Sequence, residues 1–210
     1  MTSYEVASHR MEFSISNDCS KQSCQNLRMI HPRQTSYQSR FTRNAVTTDD
    51  VTAGDMWARR EYLENDAASL LGHMLFELSR LDVNLGLCLV WVDGGANIAS
   101  LTKLVEGQNL KSRLDALRKH VDAKLPLGSK RHGAYDCWIE RVHAVRQARN
   151  NFVHGRWGVE PRRNKVVNII GLPTGEQQTN EYTIEELASV NDELCYLQRE
   201  LSRLREHWPL

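Results

Sequence analysis

Apolar residues in the second quarter of the chain recur at steps of three and four, the spacing of one face of an α-helix. The pattern begins near Asp55 and continues to Val92, where Gly94 and Gly95 follow. It predicts a first helix over 55–92 that the glycine pair ends. At 1.5 Å per residue such a helix would be about 55 Å long, so we expect a kink within it. Its apolar positions are Leu63, Ala67, Leu70, Met74, Leu78, Leu81, Leu85 and Cys88.

Two further segments with helical spacing follow the first. One covers Leu101–Val121, with an interruption expected at Gly107, and the other runs from about Tyr135 to His154. The sequence LPLGSKRHG over 125–133 predicts a basic loop between them. Gly155 stands where a left-handed C-terminal cap is expected for the later helix.

After His154 the spacing changes to that of short strands. Arg156–Glu160 and Lys165–Ile170 predict a hairpin around a turn at 161–164. A last helix begins with a capping box, Thr183 and Glu186 three residues later. It then carries a heptad seam that suits packing inside a bundle; its members are Leu187, Val190, Leu194, Leu197, Leu201, Leu204 and Trp208.

These elements indicate a mostly α fold, an up-and-down bundle of four to five helices with a small β-hairpin before the last helix. Residues 1–52 are rich in Ser, Thr, Gln and Asn, and their few large apolar residues have no sustained period. Such a segment buries too little apolar surface to offset its ordering entropy. We therefore predict a polar, flexible arm over 1–52 and one helical domain over 53–210.

Composition excludes several classes of protein. The longest apolar run is Leu87–Val92, far below the roughly 20 residues of a membrane-spanning helix. The N-terminus lacks the pattern of a signal peptide, and five scattered cysteines indicate a reducing compartment rather than a disulfide scaffold. We expect a cytoplasmic protein. A net charge of +1 provides no general attraction to nucleic acid, so any anion site must be local.

Polar groups crowd the end of the helix predicted over 135–154. Arg146, Asn150 and His154 are spaced i, i+4 and i+8, so they form one stripe. Arg149 lies beside the stripe, but in an ideal helix it is about 140° from His154. The two side chains could meet only if the helix frays at Gly155, or if a second chain contributes the same groups.

The run Arg149-Asn150-Asn151-Phe152-Val153-His154 resembles the Arg-x4-His signature of HEPN domains. The polar residue after the arginine and the place near the end of a late helix fit that family as well. The resemblance implies a metal-independent endoribonuclease that needs no cofactor and binds RNA as a homodimer. Its products would be a 2′,3′-cyclic phosphate and a 5′-hydroxyl, in a setting of toxin–antitoxin function, defence or stress response.

The chemistry of the residues agrees with that implied activity. RNA carries its own nucleophile, the 2′-hydroxyl, and a histidine such as His154 can exchange a proton near neutral pH. Arg149 can hold phosphate oxygens as charge develops, Asn150 can orient the imidazole or the phosphate, and Arg146 is a second phosphate contact. The alternative is structural, because Arg and His near a helix C-terminus also satisfy free carbonyls.

Further basic and aromatic residues extend the predicted RNA surface. Lys130, Arg131 and Arg156 could contact the RNA backbone, or could be solvated surface charges. Trp157 could stack on a base, or could cap the hairpin against the bundle. HEPN toxins paired with a nucleotidyltransferase usually carry Tyr two residues after the His; Arg156 stands there, which argues against regulation through that tyrosine. The sequence leaves open whether the protein has an antitoxin or a regulatory partner.

Metal binding is not predicted. Cys19, Cys24 and His31 have loosely zinc-like spacing but lack a fourth ligand in sequence. The cysteines of the helical region, Cys88, Cys137 and Cys195, fall on apolar helix faces and are expected in the core. The alternative to an enzyme is a non-catalytic HEPN-like dimerisation or adaptor module, or a nucleotide-binding module.

Overall fold

A computed structural model describes residues 51–210, so the arm predicted over 1–52 lies outside the described residues except for its last two positions. The described part is mostly helical, with a small antiparallel sheet before the last helix. In chain order its elements are α1 (Ala53–Val90), α2 (Ile98–Val105), α3 (Leu110–Lys124), α4 (Lys130–His154), β1 (Arg156–Glu160), β2 (Lys165–Ile170), β3 (Gln178–Tyr182) and α5 (Ile184–His207).

The first helix begins at a capping box that the sequence reasoning overlooked. The Asp55 amide donates to Thr52 Oγ1 at 3.2 Å, and the Thr52 amide donates to Asp55 Oδ2 at 3.0 Å. From there α1 continues for 38 residues, a length of about 57 Å at 1.5 Å per residue. The chain turns at Gly94 and Gly95, which take φ angles of 73° and 92°, and the predicted role of this glycine pair is confirmed.

The short helix α2 returns the chain along α1, so that α3 runs in the same direction as α1. Arg113 near the start of α3 bonds the Asp82 carbonyl at 2.9 Å, and Lys124 at its end bonds the Val92 carbonyl at 3.4 Å. Gly107, at φ 78°, separates α2 from α3 as predicted. The eight residues of α2 suffice to carry the chain back, so the helices alternate in direction as an up-and-down order requires.

Helix α4 begins five residues earlier than predicted. Ser129 caps it by accepting a hydrogen bond from the His132 amide at 3.2 Å, so residues 130–133 are helical rather than loop. The His132 imidazole contacts Asp122 Oδ1 on α3 at 2.8 Å. The predicted loop is wrong over 130–133, because the Ser129 cap and this contact stabilise the first helical turn despite Gly133.

Helices α4 and α5 pack antiparallel. The Trp138 indole donates to the Leu197 carbonyl at 2.9 Å, and Arg141 makes two hydrogen bonds, of 2.8 and 2.7 Å, to Glu193. A step of three residues toward the C-terminus of α4 therefore corresponds to a step of four residues toward the N-terminus of α5. Arg141 also lies over the Tyr196 ring, 4.6 Å from its centroid. This seam places the C-terminal end of α4 beside the N-terminal end of α5.

Helix α5 runs parallel to α1 and completes the core. Asn191 donates to the Leu70 carbonyl at 3.0 Å, and Gln198 donates to the Glu77 carbonyl at 3.2 Å. The predicted capping box of α5 is confirmed. Most of the predicted seam is buried, since Leu187, Leu194, Leu197, Leu201 and Leu204 are 3% exposed or less, whereas Val190 is only partly buried.

The sheet has the order β1-β2-β3 and packs on α1. Near the start of α1, Arg59 donates to the Pro161 carbonyl in the turn between β1 and β2 at 3.4 Å. Both predicted strands are confirmed with the predicted bounds, and Asn164 takes a left-handed φ of 53° in the turn between them. Strand β3 was not predicted because its sequence, QTNEY, is polar. It pairs antiparallel with β2 and brings Tyr182 against Phe152, with ring centroids 5.3 Å apart.

Candidate functional site at the end of helix α4

Helix α4 ends at His154, and the chain leaves it through Gly155 in extended geometry. Gly155 has φ −86° and ψ 157°, so the predicted left-handed cap is wrong. The glycine is required for another reason: a methyl group on it would lie 2.5 Å from Asn168 Cγ and nearer still to both terminal amide atoms. Close approach of strand β2, rather than a positive φ, explains glycine at this position.

Asn168 is a fully buried polar residue within the described part of the chain. It lies at the centre of β2, opposite Trp157 of β1 and Asn180 of β3. Neither its amide nitrogen nor its carbonyl oxygen has a hydrogen-bond partner among the described residues. A buried amide without hydrogen-bond partners is destabilising. The Asn168 amide lies directly beneath the C-terminal end of α4, the helix that carries the Arg-x4-His motif.

Arg149 and Asn150, the first two motif residues, contact each other. Arg149 Nη1 donates to Asn150 Oδ1 at 3.2 Å, and both side chains are half-buried. Arg149 Nε is buried without a hydrogen-bond partner, and no carboxylate within residues 51–210 forms an ion pair with this guanidinium. The arginine is thus held by a neutral amide and keeps its positive charge uncompensated at close range.

Arg146 lies one turn before Asn150, and its guanidinium group has surroundings similar to those of Arg149. Its Nε is buried without a partner, and no ion pair with a carboxylate is formed within the described residues. Its charge acts on His143, whose pKa is lowered first by burial and then by the Arg146 cation. Arg146 and Arg149 thus place two guanidinium groups one turn apart, neither with a carboxylate partner among the described residues. They make this stretch of α4 locally cationic, although the net charge of the chain is only +1.

His154, the third motif residue, is exposed at the last position of α4. Because α4 stays regular up to this residue, Arg149 and His154 point about 140° apart around the helix axis. The structure therefore does not bring the arginine and the histidine together within one chain. Fraying at Gly155, one of the two routes considered from the sequence, is absent from this conformation.

Arg156 and Trp157 follow the motif on β1 and have different surroundings. Arg156 is exposed. Trp157 is half-buried, donates its indole N–H to the Phe152 carbonyl at 2.8 Å, and packs edge-on against the Phe152 ring at 5.5 Å. These contacts are those expected of a tryptophan that caps the hairpin, and they occupy the polar atom of the ring.

Lys130 and Arg131 lie at the opposite end of α4 from the motif. Both are exposed in the first turn, and the 25-residue length of the helix places them about 36 Å from His154 at 1.5 Å per residue. They cannot contact the same phosphate as the motif of their own chain. Only an RNA of several nucleotides, or a second chain, would connect the two regions.

Two residues near the motif escaped the sequence reasoning. Asn168 gave no local signal, because its burial results from strand pairing. Gln147 could have been found from the sequence, because its spacing matches that of other polar residues on α4. His143, Gln147, Asn150 and His154 follow each other at steps of four, three and four. That spacing places all four on one face of α4.

Other predicted features have simpler outcomes. Cys88 is buried as expected, whereas Cys137 and Cys195 are only half-buried. Residues 51–210 contain no cluster of three or more His, Cys, Asp or Glu that could hold a metal ion, and the Cys19–Cys24–His31 spacing lies outside them. No helix of this part is long and apolar enough to cross a membrane.

Comparison of the chain with protein-family models, with curated proteins and with solved structures gives no significant match.

Proposed function

We propose that the protein is a HEPN-type endoribonuclease that cleaves RNA without a metal ion, using Arg149, Asn150 and His154. The observation that carries the proposal is the pair of guanidinium groups on α4. Arg146 and Arg149 are half-buried, lack carboxylate partners among the described residues, and each have a buried Nε without a partner. Burying an arginine in this way is unfavourable unless an anion completes its hydrogen bonds.

A phosphodiester is an anion that such a site can hold. Guanidinium groups bind phosphate oxygens through paired N–H donors, and they stabilise charge that develops on the phosphorus during attack by the 2′-hydroxyl. The Asn150 amide fixes the orientation of Arg149 through their hydrogen bond. His154 is exposed and accessible to an RNA strand, and an imidazole can transfer a proton at neutral pH.

The proposal includes a homodimer located in the cytoplasm. Arg149 and His154 diverge in one chain, so a complete site requires the same groups from a second copy. Arg156 on β1, exposed beside the motif, is proposed to contact the RNA backbone. Lys130 and Arg131 take the same role only on a longer RNA, because they lie at the far end of α4.

The test is cleavage of 3′-labelled and 5′-labelled single-stranded RNA in excess EDTA by purified protein. We expect 2′,3′-cyclic phosphate ends from the wild type and a loss of about 100-fold to 10,000-fold for His154→Ala, the usual effect of removing a proton-transfer group. Arg149→Gln should lose activity by a similar factor. His73→Ala is the matched control, because His73 is also exposed but lies on α1. Equal cleavage by the wild type and by His154→Ala would refute the assignment.

A second candidate function, a non-catalytic adaptor, is favoured by one observation. The outer face of α1 exposes large apolar side chains, with Phe76 67%, Val83 55% and Leu87 50% exposed. Their steps of seven and four residues place them on one face of the helix, and exposed apolar surface of this kind can mark an interaction site. If the protein is only an adaptor, Phe76→Ser should abolish association with a partner, while no RNA substrate is cleaved by the wild type.

A further inference from the structure

The sheet has an outer face that points away from the helical bundle. On antiparallel strands, paired residues point to the same side, and successive residues along one strand point to opposite sides. Val166 and Asn168 of β2 are buried toward the bundle, so their neighbours along the strand lie on the outer face. The register of β1 and β2 then assigns these residues to the outer face: Arg156, Gly158, Glu160, Lys165, Val167 and Ile169.

The centre of the outer face is shallow and apolar. Gly158 is exposed, and a Cβ placed on it would meet no atom within 4 Å. Val167 and Ile169 are half-buried and belong neither to the hydrophobic core nor to the side chains packed against it. A ligand can therefore lie close to the backbone of β1 and cover two apolar side chains. The three strands, at a spacing of about 4.8 Å, are about 10 Å wide, which suits one extended chain.

Cationic side chains lie at both ends of the outer face. Arg156 is exposed at the end next to the motif. At the other end, a pocket of about 510 Å³ lies between the hairpin turn and the starts of α1 and α5, and its wall includes Arg59, Arg162 and Lys165. We call it the hairpin pocket. Lys165 pairs with Glu160, four residues from Arg156, so the two ends are about 13 Å apart at 3.3 Å per residue.

The hairpin pocket is rich in hydrogen-bond donors. Arg59, Arg162 and Lys165 form no ion pair within the described residues. Arg59 gives one of its N–H groups to the Pro161 carbonyl, and a guanidinium group has further donors besides that one. Asn164, at its left-handed φ of 53°, adds a carboxamide to the wall. Guanidinium and ammonium groups are the side-chain groups that bind phosphate oxygens.

Carboxylates near the hairpin pocket reduce its charge without cancelling it. Glu181 binds Arg163 through two hydrogen bonds of 2.7 Å, so this pair is neutral. Asp55 is held in the capping box of α1, where the positive end of the helix offsets its charge. Glu160 and Glu185 add two further negative charges. Against them stand the cations of the face and the pocket that form no ion pair within the described residues: Arg59, Arg156, Arg162 and Lys165.

We propose that a single strand of RNA leaves the motif across the outer face of the sheet and enters the hairpin pocket. Arg156 at one end, and Arg162 with Lys165 at the other, hold its phosphates. Its bases cover Gly158 and Val167, since every base has a π-face that sequence does not change. An RNA duplex presents phosphates and 2′-hydroxyls rather than base faces, so it fits this surface less well. This inference rests on the proposed ribonuclease function and names a surface that holds its substrate outside the motif.

Binding of a strand that cannot be cleaved tests the hairpin pocket directly. The probe is a fluorescein-labelled RNA of six nucleotides with 2′-O-methyl groups, which remove the nucleophile, and fluorescence anisotropy follows its binding in EDTA. Each phosphate contact of a single strand contributes about 0.7 to the slope of log affinity against log salt. Arg162→Gln combined with Lys165→Gln should therefore reduce the slope by about 1.4. Between 50 and 200 mM salt, the wild type should then lose about sevenfold more affinity than this double variant.

A second double variant, Lys130→Gln with Arg131→Gln, is the matched control. It also removes one lysine and one arginine that are exposed, but these lie at the far end of α4, beyond the reach of a six-nucleotide strand bound at the sheet. We expect its salt slope to equal that of the wild type. Thermal melts followed by circular dichroism verify that both double variants are folded.

A charge in the centre of the outer face tests the path between its two ends. Gly158→Glu places a carboxylate beside the proposed phosphates, and Gly158→Gln has the same size without the charge. A Cβ at this position has room in both variants. We expect the glutamate variant to bind the strand more weakly than the glutamine variant at 50 mM salt, with a smaller difference at 200 mM because salt screens the repulsion. Equal affinity of the two variants would contradict a path across this face.

The outcomes separate this inference from the ribonuclease. A wild-type slope in the Arg162 and Lys165 double variant, or a wild type that does not bind the strand at 50 mM salt, overturns the RNA path even if RNA is cleaved. Inorganic phosphate or uridine monophosphate that binds as tightly as the strand shows a site for a small anion and also overturns the path. A reduced slope in the double variant, together with a wild type that cleaves no RNA, supports the path and refutes only the ribonuclease.

Discussion

Replacing Gly155 by alanine tests whether strand β2 packs tightly against the end of the motif helix. An alanine Cβ would lie 2.5 Å from Asn168 Cγ, and Asn168 is fully buried. Overpacking of this kind costs about 1–3 kcal/mol. Alanine can adopt the backbone angles of this position, φ −86° and ψ 157°. Because alanine also lowers the conformational entropy of the unfolded chain, it stabilises the folded state by about 0.4–1 kcal/mol. We therefore expect Gly155→Ala to lower the free energy of unfolding by about 1–2 kcal/mol.

Urea unfolding followed by circular dichroism at 222 nm measures this effect, and a urea slope of about 2 kcal/mol/M converts it to a midpoint lower by about 0.5–1 M. Gly158→Ala is the matched control, because a Cβ there meets no atom within 4 Å. In an Asn168→Ala background the penalty at Gly155 should disappear, because the side chain that causes it is absent. Equal stability of Gly155→Ala and Gly158→Ala, or an unchanged penalty in the Asn168→Ala background, would refute the packing argument.

Three further substitutions test other parts of the structure. Gly72→Ala should raise the urea midpoint, because a Cβ there meets nothing within 4 Å in the interior of α1 and alanine favours a helix over glycine by about 1 kcal/mol. Arg141→Met should lower the free energy of unfolding by about 1–3 kcal/mol, since Glu193, 12% exposed, loses two donors; Glu193→Gln in that background should recover part of the loss. His143 has a lowered pKa in the folded protein, by burial first and Arg146 second, so below about pH 6.5 the unfolded chain binds more protons and stability falls with falling pH. His143→Gln should therefore lose less stability than the wild type between pH 7.5 and 5.5 in thermal melts, and an identical loss would contradict this assignment.

The accuracy of the sequence-based prediction differs between local and distant features. The strands Arg156–Glu160 and Lys165–Ile170 and the capping box at Thr183 were confirmed because turn residues, alternation and caps act over a few positions. The left-handed cap at Gly155 was wrong because glycine serves two purposes, positive φ and close approach, and sequence alone does not separate them. Strand β3 was missed because its edge position tolerates polar residues.

The candidate site shows the same division. The stripe of His143, Gln147, Asn150 and His154 could be derived from spacing alone, because helical periodicity assigns residues to a face. Spacing also predicted that Arg149 and His154 diverge by about 140° in a regular helix, and α4 is regular to its end. The placement of Lys130 and Arg131 in a loop was wrong, because the start of α4 depends on the Ser129 cap and the contact to Asp122.

Local patterns along the chain were enough to predict a helical protein with a cationic, histidine-bearing segment at the end of a late helix, because side-chain period and capping residues are properties of neighbours along the chain. Three features required the three-dimensional structure: α3 runs parallel to α1, Asn168 is buried beneath Gly155, and Arg146 and Arg149 lack carboxylate partners within the described residues. Each of these depends on which distant residues share a surface. Packing chooses that arrangement through the sum of many weak contacts, and no short window of sequence contains it.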